Sequence, residues 1–271
     1  MFTYDNDQYY RIFTKESFNQ KHFYMEIILP ASGILSKSEI QKFKLMLIQS
    51  KLLENINKLL SAANLKQYKN TDYKNIIIPD SQLAKKAVEE AQETCNPILF
   101  YHSYRTYFWS SGLALSENLK VDAELLFVSS LLHDIGLTDK HNHICSKQCF
   151  ANYGGEFSQQ FCLDNTQDQK KASAVKQIIE LHLYPIVDKL KYGNEAYSLS
   201  KGAAMDVVGA NRFQLSKKYI DDVNRHYSRQ GFKEDILNTM ENFHHKEGTR
   251  ADILYRMGFA KMASKNPMNM K

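Results

Sequence analysis

The sequence predicts an all-α protein, and three observations carry that expectation. Only 11 glycines and 5 prolines occur in 271 residues, too few for a loop-rich all-β fold. Apolar residues recur at helical spacing through most of the chain, and no alternating strand pattern of useful length appears. A hydrophobic fraction of 43% is enough to bury a core, which excludes global disorder.

Taken in order, residues 1 to about 35 are rich in Tyr, Phe, Asn and Gln without a period, and read as mostly irregular. Ser36-Lys37-Ser38-Glu39 fits a capping box, in which the Ser hydroxyl and the Glu carboxylate satisfy free backbone N–H groups reciprocally. Behind it Leu52, Leu53, Ile56, Leu59 and Leu60 mark an amphipathic helix over 36–62. Residues 64–75 are polar and read as a linker. After Ile76-Ile77-Ile78-Pro79, Asp80 or Ser81 can cap a helix running to Thr94. Asn96-Pro97 opens the next, with proline in the first turn, where its missing N–H costs nothing. Asp122 caps a helix over 123–135 that ends at Gly136. Further helical patterns cover 146–163, 169–183, 197–208, 216–227, 233–243 and 249–257. The chain therefore divides into an N-terminal extension, 1–75, with one amphipathic helix, and a larger helical domain, 76–271.

Composition also limits partners. A formal net charge of +5, with no run of five basic residues, gives no nucleic-acid surface. The N-terminal MFTYDNDQYYR lacks the apolar stretch of a secretory signal. The longest apolar runs (27–30, 45–48, 76–79) are far too short to span a bilayer, so no membrane partner is expected. Cys95, Cys145, Cys149 and Cys162 form no CxxC pair and read as reduced thiols. A soluble cytoplasmic protein acting on a small molecule, with homo-oligomerisation open, is the expectation.

The most informative stretch is Leu131-Leu132-His133-Asp134-Ile135-Gly136. An ionised carboxylate at the end of an apolar helix is costly to bury unless something compensates it, and a divalent metal would do so. Imidazole with carboxylate suits zinc, iron or manganese. Neighbouring helical residues diverge by about 100°, but a last turn loosened at Gly136 could converge the pair. Two more candidates lie elsewhere. His102 is early in the helix opened by Pro97, and Asp206 interrupts the apolar segment Ala203-Ala204-Met205-Asp206-Val207-Val208. The set His102, His133, Asp134 and Asp206 offers two nitrogens and two carboxylates from three helices.

The order His … His-Asp … Asp resembles the HD superfamily of metal-dependent hydrolases, and more narrowly its cyanamide hydratase-like branch. The matching pieces are HSYRTYFWSSGLAL (102–115), AELLFVSSLLHDIGLTDK (123–140), FANYGG (150–155), AVKQIIELH (174–182) and DVVGAN (206–211). The resemblance covers roughly 80–260 and departs at Ala151, where many relatives carry an acid. It implies an HD helical bundle with one divalent metal, zinc or iron, held by His102, His133, Asp134 and Asp206, and a metal-activated water.

His182, on the apolar face of Val175, Ile178 and Ile179, is a candidate for proton transfer. Arg105, three residues after His102, could orient a carboxylate or a substrate anion. Lys140 could reach an anionic substrate. His141 and His143 read as solvated, and the His244-His245 pair as surface. The resemblance implies a hydratase or amide-type hydrolase; an HD phosphohydrolase, using Arg105, Lys140 and Arg212 as cations, and a non-catalytic helical binding module are the alternatives.

Overall fold

The structure, a computed structural model, describes residues 29–269 together with Met25 and Ile27. The irregular reading of residues 1–35 falls mostly outside them. The described residues are helical, with no strand and one isolated bridge between Ile34 and Thr249.

Helix α1 (Lys37–Ala62) begins as its capping box dictates: the Glu39 N–H donates to Ser36 Oγ, and the Ser36 N–H to Glu39 Oε2. It buries Phe43 and Met46, and the Phe43 ring meets Tyr184 edge-on at 5.5 Å. The expected linker that follows contains a short 3-10 turn, Tyr73–Asn75, whose tyrosine packs on Phe108.

Four helices make the centre: α2 (Gln82–Thr94), α3 (Pro97–Ser116), α4 (Ala123–Leu132) and α6 (Gln169–Leu181). Ser81, Asn96, Asp122 and Asp168 each cap one of them through a side-chain oxygen. Helix α4 is apolar all round, with every residue from Leu126 to Leu132 buried, and packs on α2, α3 and α6 at once. Helix α5 (Phe150–Thr166) lies along α6, and α7 (Lys189–Val208) along α3. Four shorter helices, α8 (Lys217–His226), α9 (Phe232–Asn242), α10 (Arg250–Arg256) and α11 (Phe259–Ser264), complete the chain.

The α3–α7 contact is unusually close because it is built on Gly202. A Cβ there would stand 2.0 Å from Ser110 Oγ and 2.8 Å from both the Ser110 nitrogen and the Thr106 oxygen. Residues 102, 106 and 110 form one row on α3, and 202 and 206 one row on α7. Contact at Gly202 therefore delivers Asp206, one turn later, to His102.

Several boundaries differ from expectation. Helix α4 stops at Leu132, not at 135: Asp134 (φ −108°, ψ 18°) leaves helical geometry and Ile135–Leu137 tighten into a 3-10 turn. Gly136 does not act through a left-handed backbone. Its missing side chain instead admits the start of α5, since a Cβ would lie 2.9 Å from the Phe150 oxygen. Helix α5 starts at Phe150 rather than 146, because Asn142–Ile144 form a separate 3-10 turn and Cys149 is extended. Helix α7 begins at Lys189, capped by Asp188, and continues past a break at Gly193 (φ 88°) that masks its first turns in the periodicity. Helix α11 has no counterpart among the expected helices; at six residues it is too short to show a period.

Candidate metal centre

The end of α4 and the first turns of α3 meet in the core. His102 Nε2 and His133 Nε2 each lie 3.3 Å from Asp134 Oδ2. One ligand atom from each of these three residues falls within 4.8 Å of the others, and all three residues are buried. The loosened turn after Leu132 makes this possible, because it lets adjacent residues aim at one point.

The ring nitrogens facing away from that point are all engaged. His102 Nδ1 donates to Asp206 Oδ2 at 2.7 Å, His133 Nδ1 to the Ser130 carbonyl at 2.8 Å, and His182 Nδ1 to the Ile179 carbonyl at 2.6 Å. Each of those partners can only accept, so Nδ1 carries the hydrogen in all three rings. Their Nε2 lone pairs are left for the interior. His102 Nε2 and His133 Nε2 are buried without a hydrogen-bond partner, which is the state expected of imidazoles built to bind a metal. The donor set, two nitrogens and a carboxylate, fits a zinc or iron ion with a coordination position left for water.

His182 stands at the edge of this group, its Nε2 3.5 Å from Asp134 Oδ1. Burial holds its pKa below the ordinary histidine value, outweighing the attraction of the Asp134 carboxylate for the charged ring. For Asp134 burial works in the opposite sense, towards the neutral acid. The surrounding imidazoles, His133 first and then His102 and His182, favour the ionised carboxylate, overcome burial and hold the carboxyl well below the usual range.

Asp206 is placed differently from the other sequence-derived ligands. It lies behind His102 rather than in the three-residue group. Its two oxygens also accept from Arg105 Nε and Nη2, Trp109 Nε1 and Arg229 Nη1. Burial disfavours its charge, but the Arg105 and Arg229 guanidiniums keep its pKa well below the usual range. Arg105 is itself fully buried, and its Nη1 donates to the Ser228 carbonyl at 2.6 Å. The Phe232 ring stacks on His102 at 4.8 Å and lies beneath both guanidiniums.

Three participants do not stand out in the sequence. Trp109 shares a helix face with His102 and Arg105 through its i, i+3, i+7 spacing, so a signal is present although the residue reads equally as core. Arg229 comes from the connection between α8 and α9, and Phe232 is the first residue of α9; neither carries a local pattern. Lys140, expected to meet substrate, is exposed and makes no hydrogen bond or ion pair among the described residues. His141 is not solvated as its polar neighbours suggest: it is buried, and its Nδ1 is 2.7 Å from the Tyr153 hydroxyl. His245 is likewise half-buried against Phe150, not a surface residue.

Residues 99–209 match the family model described as "HD domain". Two proteins of Saccharomyces cerevisiae, cyanamide hydratase DDI2 and cyanamide hydratase DDI3, are each 33% identical to this chain over 107 residues. That match covers 38% of this chain and 47% of each relative, so the chain spans about half the length of the curated relatives it matches. An all-helical fold among the described residues and a buried His-His-Asp group at the end of α4 accompany this match, so the chain is similar to the HD domain across α3 to α7 and, over 107 residues, to the two cyanamide hydratases.

Proposed function

We propose that this chain is a metal-dependent hydratase or hydrolase that adds water to a small, uncharged substrate of nitrile or amide type. The observation that carries the reading is the fate of the cations around the cluster. A phosphoester brings negative charge that calls for free guanidinium or ammonium donors at the reacting centre. Arg105 and Arg229 are both engaged by Asp206, and Lys140 and Arg212 are exposed. None of the three cations that the sequence offers for a phosphate stands free at the cluster. The names of the two yeast relatives agree with a neutral substrate.

In this reading His102, His133 and Asp134 hold one divalent ion, zinc or iron. Such an ion supplies Lewis acidity that lowers the pKa of water from about 15.7 towards roughly 7. The protein's part is to fix the imidazoles through their Nδ1 partners, keep bulk water out, and move a proton. His182 takes that role at Nε2, the nitrogen it turns towards Asp134. Arg105 acts through Asp206 and is a positioning residue, not one that touches substrate.

The test is to strip the protein of metal, reload it separately with zinc, iron(II) and manganese, and assay cyanamide, a simple nitrile and p-nitrophenyl phosphate. Metal-dependent formation of urea from cyanamide, or of an amide from the nitrile, is the expected result. Phosphate release without hydration would replace the reading with the phosphohydrolase one. No turnover with any metal would favour a binding module.

A further inference from the structure

Helix α1 buries only Phe43 and Met46 fully, and its opposite face holds a second apolar row. Leu45, Ile48, Leu52, Ile56 and Leu59 are between 43% and 70% exposed. Their spacing of three or four residues places them in one line about 21 Å long at 1.5 Å per residue. Five large aliphatic side chains in a continuous exposed row are not ordinary surface. Beside them runs a second row, Lys37, Lys44, Lys51 and Lys58, at intervals of seven. All four lysines are exposed, and none has an ion-pair partner among the described residues. The helix has two acids, and both are engaged elsewhere. Glu39 closes the capping box, and Glu54 accepts the Asn211 N–H.

From this pairing of rows we infer that the outer face of α1 is a docking surface for an anionic lipid bilayer, on which the helix lies flat. Charge complementarity selects the occupant. Antiparallel pairing with a second copy would set lysine row against lysine row. The face is a convex ridge of Leu and Ile without Tyr, Trp or Arg, the residues on which protein interfaces concentrate their energy. A fluid interface needs no pocket: it takes up a ridge of aliphatic side chains and attracts the flanking ammonium groups. No described helix is long and apolar enough to cross a membrane, and surface attachment requires none. The absence of long apolar runs in the sequence excludes spanning alone.

The test is co-sedimentation of the full chain with vesicles of phosphatidylcholine alone and of phosphatidylcholine with phosphatidylserine. Binding to the anionic vesicles is expected, falling about tenfold or more on neutral lipid or at raised salt. The variants Leu45→Gln/Leu52→Gln/Leu59→Gln and Lys44→Gln/Lys51→Gln/Lys58→Gln should each lose it while keeping native helical circular dichroism. A Leu52→Trp variant gives a second readout, a blue shift of its emission on adding anionic vesicles. No binding at low salt, binding kept by both triple variants, or no emission shift would overturn the proposal. A dimer in sedimentation analysis that the leucine variant abolishes would assign the face to a second copy instead. Binding of an acidic amphipathic helix without vesicle binding would assign it to a protein partner.

Discussion

Asp206 Oδ2 accepts the Nδ1 hydrogen of His102 at 2.7 Å, from the side of the ring opposite the His102 Nε2 that faces Asp134. A buried carboxylate held by two guanidiniums and an indole thus fixes the tautomer and the direction of His102, the first candidate ligand. Partners of that kind raise the basicity of a ligating imidazole as well as orienting it.

Asp206→Asn should therefore weaken metal binding about 10–100-fold rather than abolish it, the usual size of an outer-shell effect. Competition against a chromogenic chelator measures it. Complete loss of binding would make Asp206 a direct ligand, as the family resemblance implies.

Asp134→Ala should remove metal retention and turnover together, because Asp134 is the group on which all three imidazoles converge. Elemental analysis of the purified variant beside the parent decides this. A metal-loaded, active Asp134→Ala protein would overturn the site.

Gly202→Val should destabilise the fold by about 1–3 kcal/mol or more, the range for overpacking a filled contact. Backbone atoms of Ser110 and Thr106 stand where the Cβ would go, so relief requires α3 and α7 to separate. The same separation would draw Asp206 from His102, and metal affinity should fall with the denaturation midpoint.

His245 gives a pH dependence distinct from that of the His-His-Asp group. Burial lowers its pKa from the ordinary 6.5 to about 4, so it is neutral in the folded protein and takes up a proton more readily when unfolded. The stability this contributes is complete above about pH 6.5 and is lost as pH falls towards 4. Urea denaturation at a series of pH values should show that slope, and His245→Leu should flatten it. An unchanged slope would refute the assignment.

Most of the helices, and the residues of the candidate site, are legible in the sequence because their causes are local. Capping boxes, Asn-Pro starts and apolar periodicity involve residues a turn apart, and a carboxylate inside an apolar run is conspicuous on desolvation grounds alone. That is why His102, His133, Asp134, His182 and Asp206 stand out in the bare chain. Their division of labour does not, because it depends on which helices touch. Only the approach of α3 to α7 at Gly202 puts Asp206 behind His102, and only the α8–α9 connection brings Arg229 to share it. The bare Leu and Ile row of α1 is visible as periodicity, but periodicity reports that a face is apolar without saying whether the core covers it. Burial is a property of the assembled chain, and it separates Phe43 from Leu45 although the two lie two residues apart.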